Sequence, residues 1–266
     1  MTADFIPAVP LPMLAAGGLI LGLIVGSFFA TIFVRWPQGR SALGGRSRCD
    51  GCGETLRAWE LVPLLSFMVA RGRCLRCGAR IDSGHLLIEL AGGMVGVAAV
   101  LAHPLPLALA TALLGWMLLL LAALDVEHHW LPDALTLPLI PLGLGAAALG
   151  LGPPILDRLL GALVGAMVLW LLGVAYERLR GQEGLGGGDP KLLAAIGAWV
   201  GLLQLPFVLL GAGLLGLLAL LLMRLRGQAV GRTTRLPLGA LMALAAWPIW
   251  LAGDAFRSGS IQTNLL

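Results

Sequence analysis

Charged and aromatic residues are scarce in this 266-residue chain, and tyrosine is almost missing. Asp, Glu, Lys and Arg together make up only 12%, against roughly 25% in ordinary soluble domains. Hydrophobic residues make up 58%, and mean hydropathy reaches +0.92. That balance excludes a soluble globule, which has no use for so much apolar surface. Aromatic residues amount to 6%, with Tyr176 the single tyrosine, which excludes the aromatic girdles of an outer-membrane barrel. The abundant Leu, Ala and Gly suit helices that pack in lipid through small residues. The formal charge of +4 does not point to nucleic acid, because no basic stretch is interleaved with aromatics on a soluble face. No basic segment precedes the first apolar run, where Asp4 stands instead, so the first helix is expected to stay in the mature protein.

What is present is a series of apolar runs. A helix crossing roughly 30 Å of hydrocarbon needs about 20 apolar residues, and Leu11 to Val34 supplies them without a charge. Further runs cover His85 to Ala102, Leu105 to Leu124, Ala134 to Gly150, Leu159 to Ala175, Leu192 to Met223 and Leu236 to Leu251. As one helix the run from Leu192 would measure about 48 Å, and Gln204 and Pro206 in its middle favour two crossings. Two crossings also keep Arg224, Arg226, Arg232 and Arg235 on the side of Arg178, Arg180 and Lys191. Nearly every basic residue then shares one face, with Arg158 and Arg257 as exceptions, and the positive-inside rule makes that face cytoplasmic. The expected fold is an all-α polytopic membrane protein of about eight transmembrane helices, with both termini periplasmic. The expected division is a first span (1–34), a cytoplasmic cysteine domain (35–84) and a membrane domain (85–266).

Residues 35–84 form the one extended polar segment and hold half of the 18 Lys and Arg residues. All four cysteines lie there, as Cys49-Asp-Gly-Cys52 and Cys74-Leu-Arg-Cys77. Two C-x-x-C pairs at zinc-ribbon separation can place four thiolates around one tetrahedral ion. Gly51, Gly53 and Gly78 permit the tight turns such knuckles require. Four thiolates close the coordination sphere, so the expected zinc is structural rather than catalytic. A reducing cytoplasmic location argues against disulfides.

Acids are few, and two groups sit at run ends: Asp125, Glu127 and Asp133 in one, Glu183 and Asp189 in the other. Ionisable groups near hydrocarbon are costly and tend to mark function. Two carboxylates held close share a proton, so one can activate water while the other polarises a peptide carbonyl. Gly186, Gly187 and Gly188 strip side chains from the approach to Asp189, which would let a substrate backbone or partner helix come near. A phosphate-cradling reading fails because no Gly-Lys-Ser/Thr follows. The plainer alternative for Asp189, before Pro190, and for Asp133, after Leu-Pro, is helix capping. Glu127, His128 and His129 read as loop residues at headgroup level.

In order and spacing these segments resemble the type IV prepilin peptidases, which also serve type II secretion pseudopilins. The resemblance covers nearly the whole chain. It runs from Gly26-Ser27-Phe28 and Arg35-Trp36-Pro37 through both cysteine pairs to Ile88-Glu89-Leu90. It continues in Leu131-Pro132-Asp133 and closes in Gly186-x-Gly188-Asp189-x-Lys191.

The resemblance implies an aspartic endopeptidase that removes the basic leader of prepilins after its last glycine, with Asp125 and Asp189 as the catalytic pair. It implies Cys49, Cys52, Cys74 and Cys77 as metal ligands and Gly186, Gly188, Lys191, Asp133 and Glu89 as supporting residues. It further implies methylation of the freed N-terminus from S-adenosylmethionine and an inner-membrane location with the acids at the cytoplasmic face. Prepilins or pseudopilins and membrane lipids would be its partners. Ala30, Asp50 and Pro190 depart from the family pattern; they bear on methylation more than on cleavage, and Pro190 would stiffen the start of its helix. Competing readings are a peptidase without methyl transfer, an ion-coupled transporter relaying protons through Glu89, Asp125 and Asp189, and a zinc-stapled scaffold.

Overall fold

The computed structural model describes residues 9–44, 46–49, 51–181, 184–229, 231 and 235–262, with side chains to residue 253. Asp4, Asp50, Glu183 and Arg232 lie outside these residues, as does the side chain of Arg257. The described residues form α1 (Leu11–Arg35), α2 (Leu65–Val69), α3 (Ser83–Ala102), α4 (Leu107–His128), α5 (Asp133–Ala148), α6 (Ile155–Arg180), α7 (Asp189–Val200), α8 (Leu205–Leu225) and α9 (Leu238–Gln262). Short 3-10 turns at Trp36–Gln38 and Ala58–Leu61 complete the order. Among the described residues no strand forms, and two isolated bridges, Arg48 with Thr55 and Arg73 with Arg80, mark the cysteine segment.

Five helices, α1, α3, α4, α6 and α8, are long and apolar enough to cross a bilayer, while α5 and the apolar part of α9 are shorter. The protein is thus a multi-pass helical membrane protein. The run from Leu192 divides where Gln204 and Pro206 stand: α7 ends at Val200, Gly201 adopts φ +84° and α8 begins at Leu205. The chain separates into two compact units, with the boundary between Ala112 and Leu113.

In the first unit α1 packs on α3 through glycines. A Cβ on Gly18 would stand 2.6 Å from the Gly96 carbonyl oxygen, and one on Gly26 would stand 2.9 Å from the Glu89 Cα. Small residues four apart let two backbones meet, and dispersion then replaces the hydrophobic drive that lipid cannot supply.

In the second unit α7 lies against α5, α6 and α9. Gly161 and Gly197 repeat the device, since a Cβ on Gly161 would stand 2.6 Å from the Gly197 carbonyl oxygen. The turn after α7 is fastened by Asp157, whose Oδ1 accepts from the Leu202 N–H at 3.1 Å.

Arg158, an exception to the charge pattern, is fully buried. Its guanidinium donates to the carbonyls of Pro153 (3.1 Å), Gly143 (2.6 Å) and Leu151 and stacks 5.3 Å from the Trp250 ring centroid. Trp250 meets Trp199 edge-on at 5.7 Å, and Trp199 donates to the Leu139 carbonyl at 2.9 Å. A charge so fully enclosed orients by its partners rather than by membrane potential, which explains the exception.

Candidate active site and metal centre

Asp125 occupies the last turn of α4, one turn inside the helix rather than at its end as the apolar run suggested, because the helix continues to His128. Glu127 and His128 are therefore helical, exposed residues rather than loop residues, and His129, at φ +47°, ends the helix. Asp125 is 5% exposed, and its Oδ2 accepts from the Ala240 N–H at 2.8 Å. The donor comes from the first turn of α9, where four N–H groups lack partners within the helix.

Asp189 is the first residue of α7 and 8% exposed. It does not cap the helix; Gly188 holds that position, without a side-chain bond. The Asp189 Oδ2 reaches backwards to accept from the Gly186 N–H at 3.2 Å. The positive end of the α7 dipole lies beside this carboxylate.

The two acids, 64 residues apart along the chain (189 − 125), each lie beside a glycine that packs on Leu131. Leu131 explains the convergence. A Cβ on Gly188 would stand 2.8 Å from the Leu131 Cβ, and one on Gly239 would stand 2.7 Å from its Cδ1 and 3.0 Å from the Asp125 Oδ2. One leucine thus packs against the glycines neighbouring both acids, with room only for hydrogen at either contact. Gly239 and Leu131 had no assigned part in the sequence reading; the small residue two positions after Pro237, at a helix start, was the available signal.

Asp133, the first residue of α5, accepts from Lys191 Nζ with both oxygens, at 2.7 and 2.8 Å. This pair ties the first turn of α5 to the first turn of α7, two residues from Asp189. Both side chains are about half exposed, so the pair positions more than it stabilises. Asp133 is an ion-pair partner rather than a cap, since Pro132 holds the capping position. Both Asp125 and Asp189 stand in end turns, whereas a proton relay needs carboxylates near the middle of the bilayer.

In the first unit the four cysteines converge, with their sulfurs within 4.8 Å of one another and Cys49 Sγ 3.7 Å from Cys77 Sγ. Tetrahedral zinc with bonds of about 2.3 Å requires sulfurs about 3.8 Å apart, so the donor set fits. The two knuckles are built alike. Cys49 N–H donates to Glu54 and Gly53 N–H returns to Cys49; Cys74 N–H donates to Ala79 and Gly78 N–H returns to Cys74. Gly53 and Gly78 hold φ +70° and +72°, values that favour glycine.

Backbone N–H groups of Cys77 and Arg76 pull the Cys74 thiol down to about 6. At Cys77 the Ala79 N–H pulls the same way, but desolvation and the sulfurs of Cys52, Cys74 and Cys49 outweigh it and push that thiol up to about 11. Sulfurs that crowd one another in this way are relieved by a divalent cation.

Glu89, in α3, is 5% exposed. Its Oε2 accepts from the Leu64 N–H at 2.9 Å, and its Oε1 lies 3.5 Å from His85 Nε2. Leu64 itself holds φ +59°, an unfavourable conformation for a branched residue. The carboxylate thus fastens a strained turn of the cysteine module to α3, a link that residue spacing does not announce.

Residues 20–103 match the family described as Bacterial Peptidase A24 N-terminal domain, and residues 112–221 match the Type IV leader peptidase family. The prepilin leader peptidase/N-methyltransferase of Stutzerimonas stutzeri is 36% identical, with 97% of each chain covered. Its namesake from Pseudomonas aeruginosa is also 36% identical over 97% of each chain. That of Aeromonas salmonicida is 40% identical over 83% of this chain and 76% of its own. No solved structure gives a significant match.

Proposed function

Because the chain belongs to the type IV leader peptidase family, we propose that it is a membrane aspartic endopeptidase for type IV prepilins or type II secretion pseudopilins. It cuts after the leader glycine and then methylates the new N-terminal residue from S-adenosylmethionine. The observation that carries the reading is the convergence of Asp125 and Asp189, two enclosed carboxylates on separate helices of one unit.

Two such groups keep a single proton between them more readily than they both ionise. The charged member takes a proton from water, and the protonated member donates to the scissile carbonyl as its oxygen gains charge. Each carboxylate is steadied by backbone N–H groups, Ala240 at Asp125 and Gly186 at Asp189 among them, which leaves further lone pairs for water and peptide. The side-chain-free run from Gly186 to Gly188 gives an extended substrate access beside Asp189.

A pilin-like substrate is an apolar helix whose basic leader stays in the cytoplasm by the positive-inside rule. Its scissile bond then meets acids at the cytoplasmic ends of α4 and α7. The four thiolates hold a structural zinc that organises residues 35–84; with no open coordination position it takes no part in bond cleavage.

The test is co-expression with a prepilin followed by mass measurement of the product. Asp125→Asn and Asp189→Asn should each lower leader removal by at least about 10²-fold while the protein still inserts and retains zinc. Wild-type processing by either variant would remove that residue from the mechanism. Methylation is scored in the same spectrum, as the mass of the processed terminus.

A further inference from the structure

Helix α2 has two unlike faces. Ser66 and Phe67 line a hollow between the cysteine module and the adjoining ends of α1 and α3. Leu65, Met68 and Val69 stand at the i, i+3 and i+4 positions that share the opposite face, and each is more than half exposed. Val62, also exposed, is drawn alongside them, because its carbonyl accepts from the Ser66 N–H at 3.0 Å. Exposed apolar residues scattered singly need no explanation, whereas a contiguous patch marks an interaction surface. None of these four lines the hollow, and the chemistry proposed above uses none of them.

Glu89 fixes the depth of the patch. Leu64, the residue before α2, donates its N–H to the Glu89 Oε2 at 2.9 Å, and a Cβ on Gly26 would stand 2.9 Å from the Glu89 Cα. Gly26 and Glu89 therefore share one level. Gly26 lies nine positions before Arg35 (35 − 26), within a run that carries no charge. At 1.5 Å per residue that level is about 13 Å deeper in the bilayer than the arginine. Helical side chains lean toward the start of their helix, and the contact of Glu89 with His85, one turn earlier, follows that direction. The carboxylate thus rises by about one turn and holds the start of α2 roughly 8 Å deeper than Arg35. Interfacial helices bury their apolar face about 5–10 Å into the boundary of headgroups and acyl chains. On α3, Leu87, Leu90 and Met94 are exposed from this depth inward, so the patch continues a surface that already meets lipid.

The charges around the patch agree with that depth. Arg57 precedes it and Arg71 follows it, both exposed. Glu60, the one acid between them, is engaged by the Arg57 N–H and by Arg76. Arginine stems can lie along apolar surface while the guanidinium reaches the headgroups. An apolar substrate helix would cover the leucine and methionine but leave both guanidinium groups without an anion, whereas anionic lipid satisfies all of them.

We propose that α2 and the residues leading into it form an interfacial anchor, with Val62, Leu65, Met68 and Val69 among the acyl chains and Arg57 and Arg71 against the phosphates of anionic lipid. The cysteine module then rests on the bilayer at a third point besides α1 and α3, which removes its freedom to tilt about that pair.

The test places the full, zinc-loaded chain in vesicles of phosphatidylcholine and phosphatidylglycerol in equal parts, with a trace of lipid carrying a photoreactive group in its acyl chain. Trypsin releases residues 58–71 as one peptide and residues 192–224, which contain α8, as another. Acyl label is expected in both, and label in 192–224 with none in 58–71 would overturn the anchor. Met68→Glu should lower the label in 58–71 by at least about fivefold, with the label in 192–224 and the zinc content unchanged. Labelling of that variant at the wild-type level would also overturn the proposal.

Hydrogen exchange of the wild-type protein is the second measurement. Exchange in 58–71 should be at least about threefold slower in the mixed vesicles than in phosphatidylcholine alone, and Arg71→Gln should abolish the difference. Equal exchange in the two lipids would overturn the anionic contact. Label or protection that arises only when a prepilin is reconstituted with the protein would assign the patch to the substrate helix and overturn the anchor.

Discussion

The cysteine module and helix α7 lie at opposite extremes of burial. Ala58–Leu61 and Leu65–Val69 contain no buried residue, whereas α7 hides Asp189 and every residue from Leu192 to Val200. A segment with no core needs a staple, and four thiolates supply one. A helix enclosed on every side needs close backbone approach, and glycine supplies that. The two regions should therefore fail under different insults.

The sharpest way to break the comparison is to remove the metal. Structural zinc in small modules accounts for roughly 10–16 kcal/mol of apparent binding energy at neutral pH, more than such a module's folding can do without. A strong chelator, or Cys74→Ser, should unfold residues 35–84, seen as new protease cuts there. Protection of α7 should persist, measured by hydrogen exchange. Loss of protection in both regions together would show that the module and α7 fold as one.

The converse insult is Gly197→Leu. Its side chain would enter the backbone of Gly161 and Ala162, and overpacking of a close contact costs typically about 1–3 kcal/mol, occasionally more. Thermal stability of the membrane part should drop and leader cleavage with it, because α7 carries Asp189, while zinc content holds. Normal cleavage by this variant would mean that the α6 and α7 contact does not position the acid.

The smallest effect is expected at Lys191. Its pair with Asp133 is about half exposed, and exposed pairs contribute roughly 0.2–1 kcal/mol. Lys191→Met should leave the melting temperature nearly unchanged and lower cleavage by less than about fivefold. A loss approaching that of Asp189→Asn would promote the lysine from positioning to direct participation.

Several features were legible before any coordinates. The knuckles follow from cysteine spacing, because each loop is too short to do otherwise. The break between α7 and α8 follows from excess length, Pro206 and the need to keep arginines on one side. What could not be read depends on contacts between distant segments. Asp133 and Lys191 are 58 positions apart (191 − 133), Glu89 and Leu64 differ by 25, and neither pair shares a helix face or a motif. Arg158 looked anomalous by topology because its three carbonyl partners arise only once α5, α6 and the intervening turn have met. The helical state of Glu127 and His128 was missed for a local reason: apolar content ends at Leu124, yet nothing in Val126 to His128 stops a helix.

One dimension of the second unit bears on how the acids stay wet. Helix α7 has 12 residues and α5 has 16, about 18 and 24 Å at 1.5 Å per residue, against hydrocarbon about 30 Å thick. Because α7 is walled by protein rather than by lipid, the mismatch falls on its two ends: a rod this short cannot reach both aqueous faces, so water that meets Asp189 directly stays out of reach of Val200.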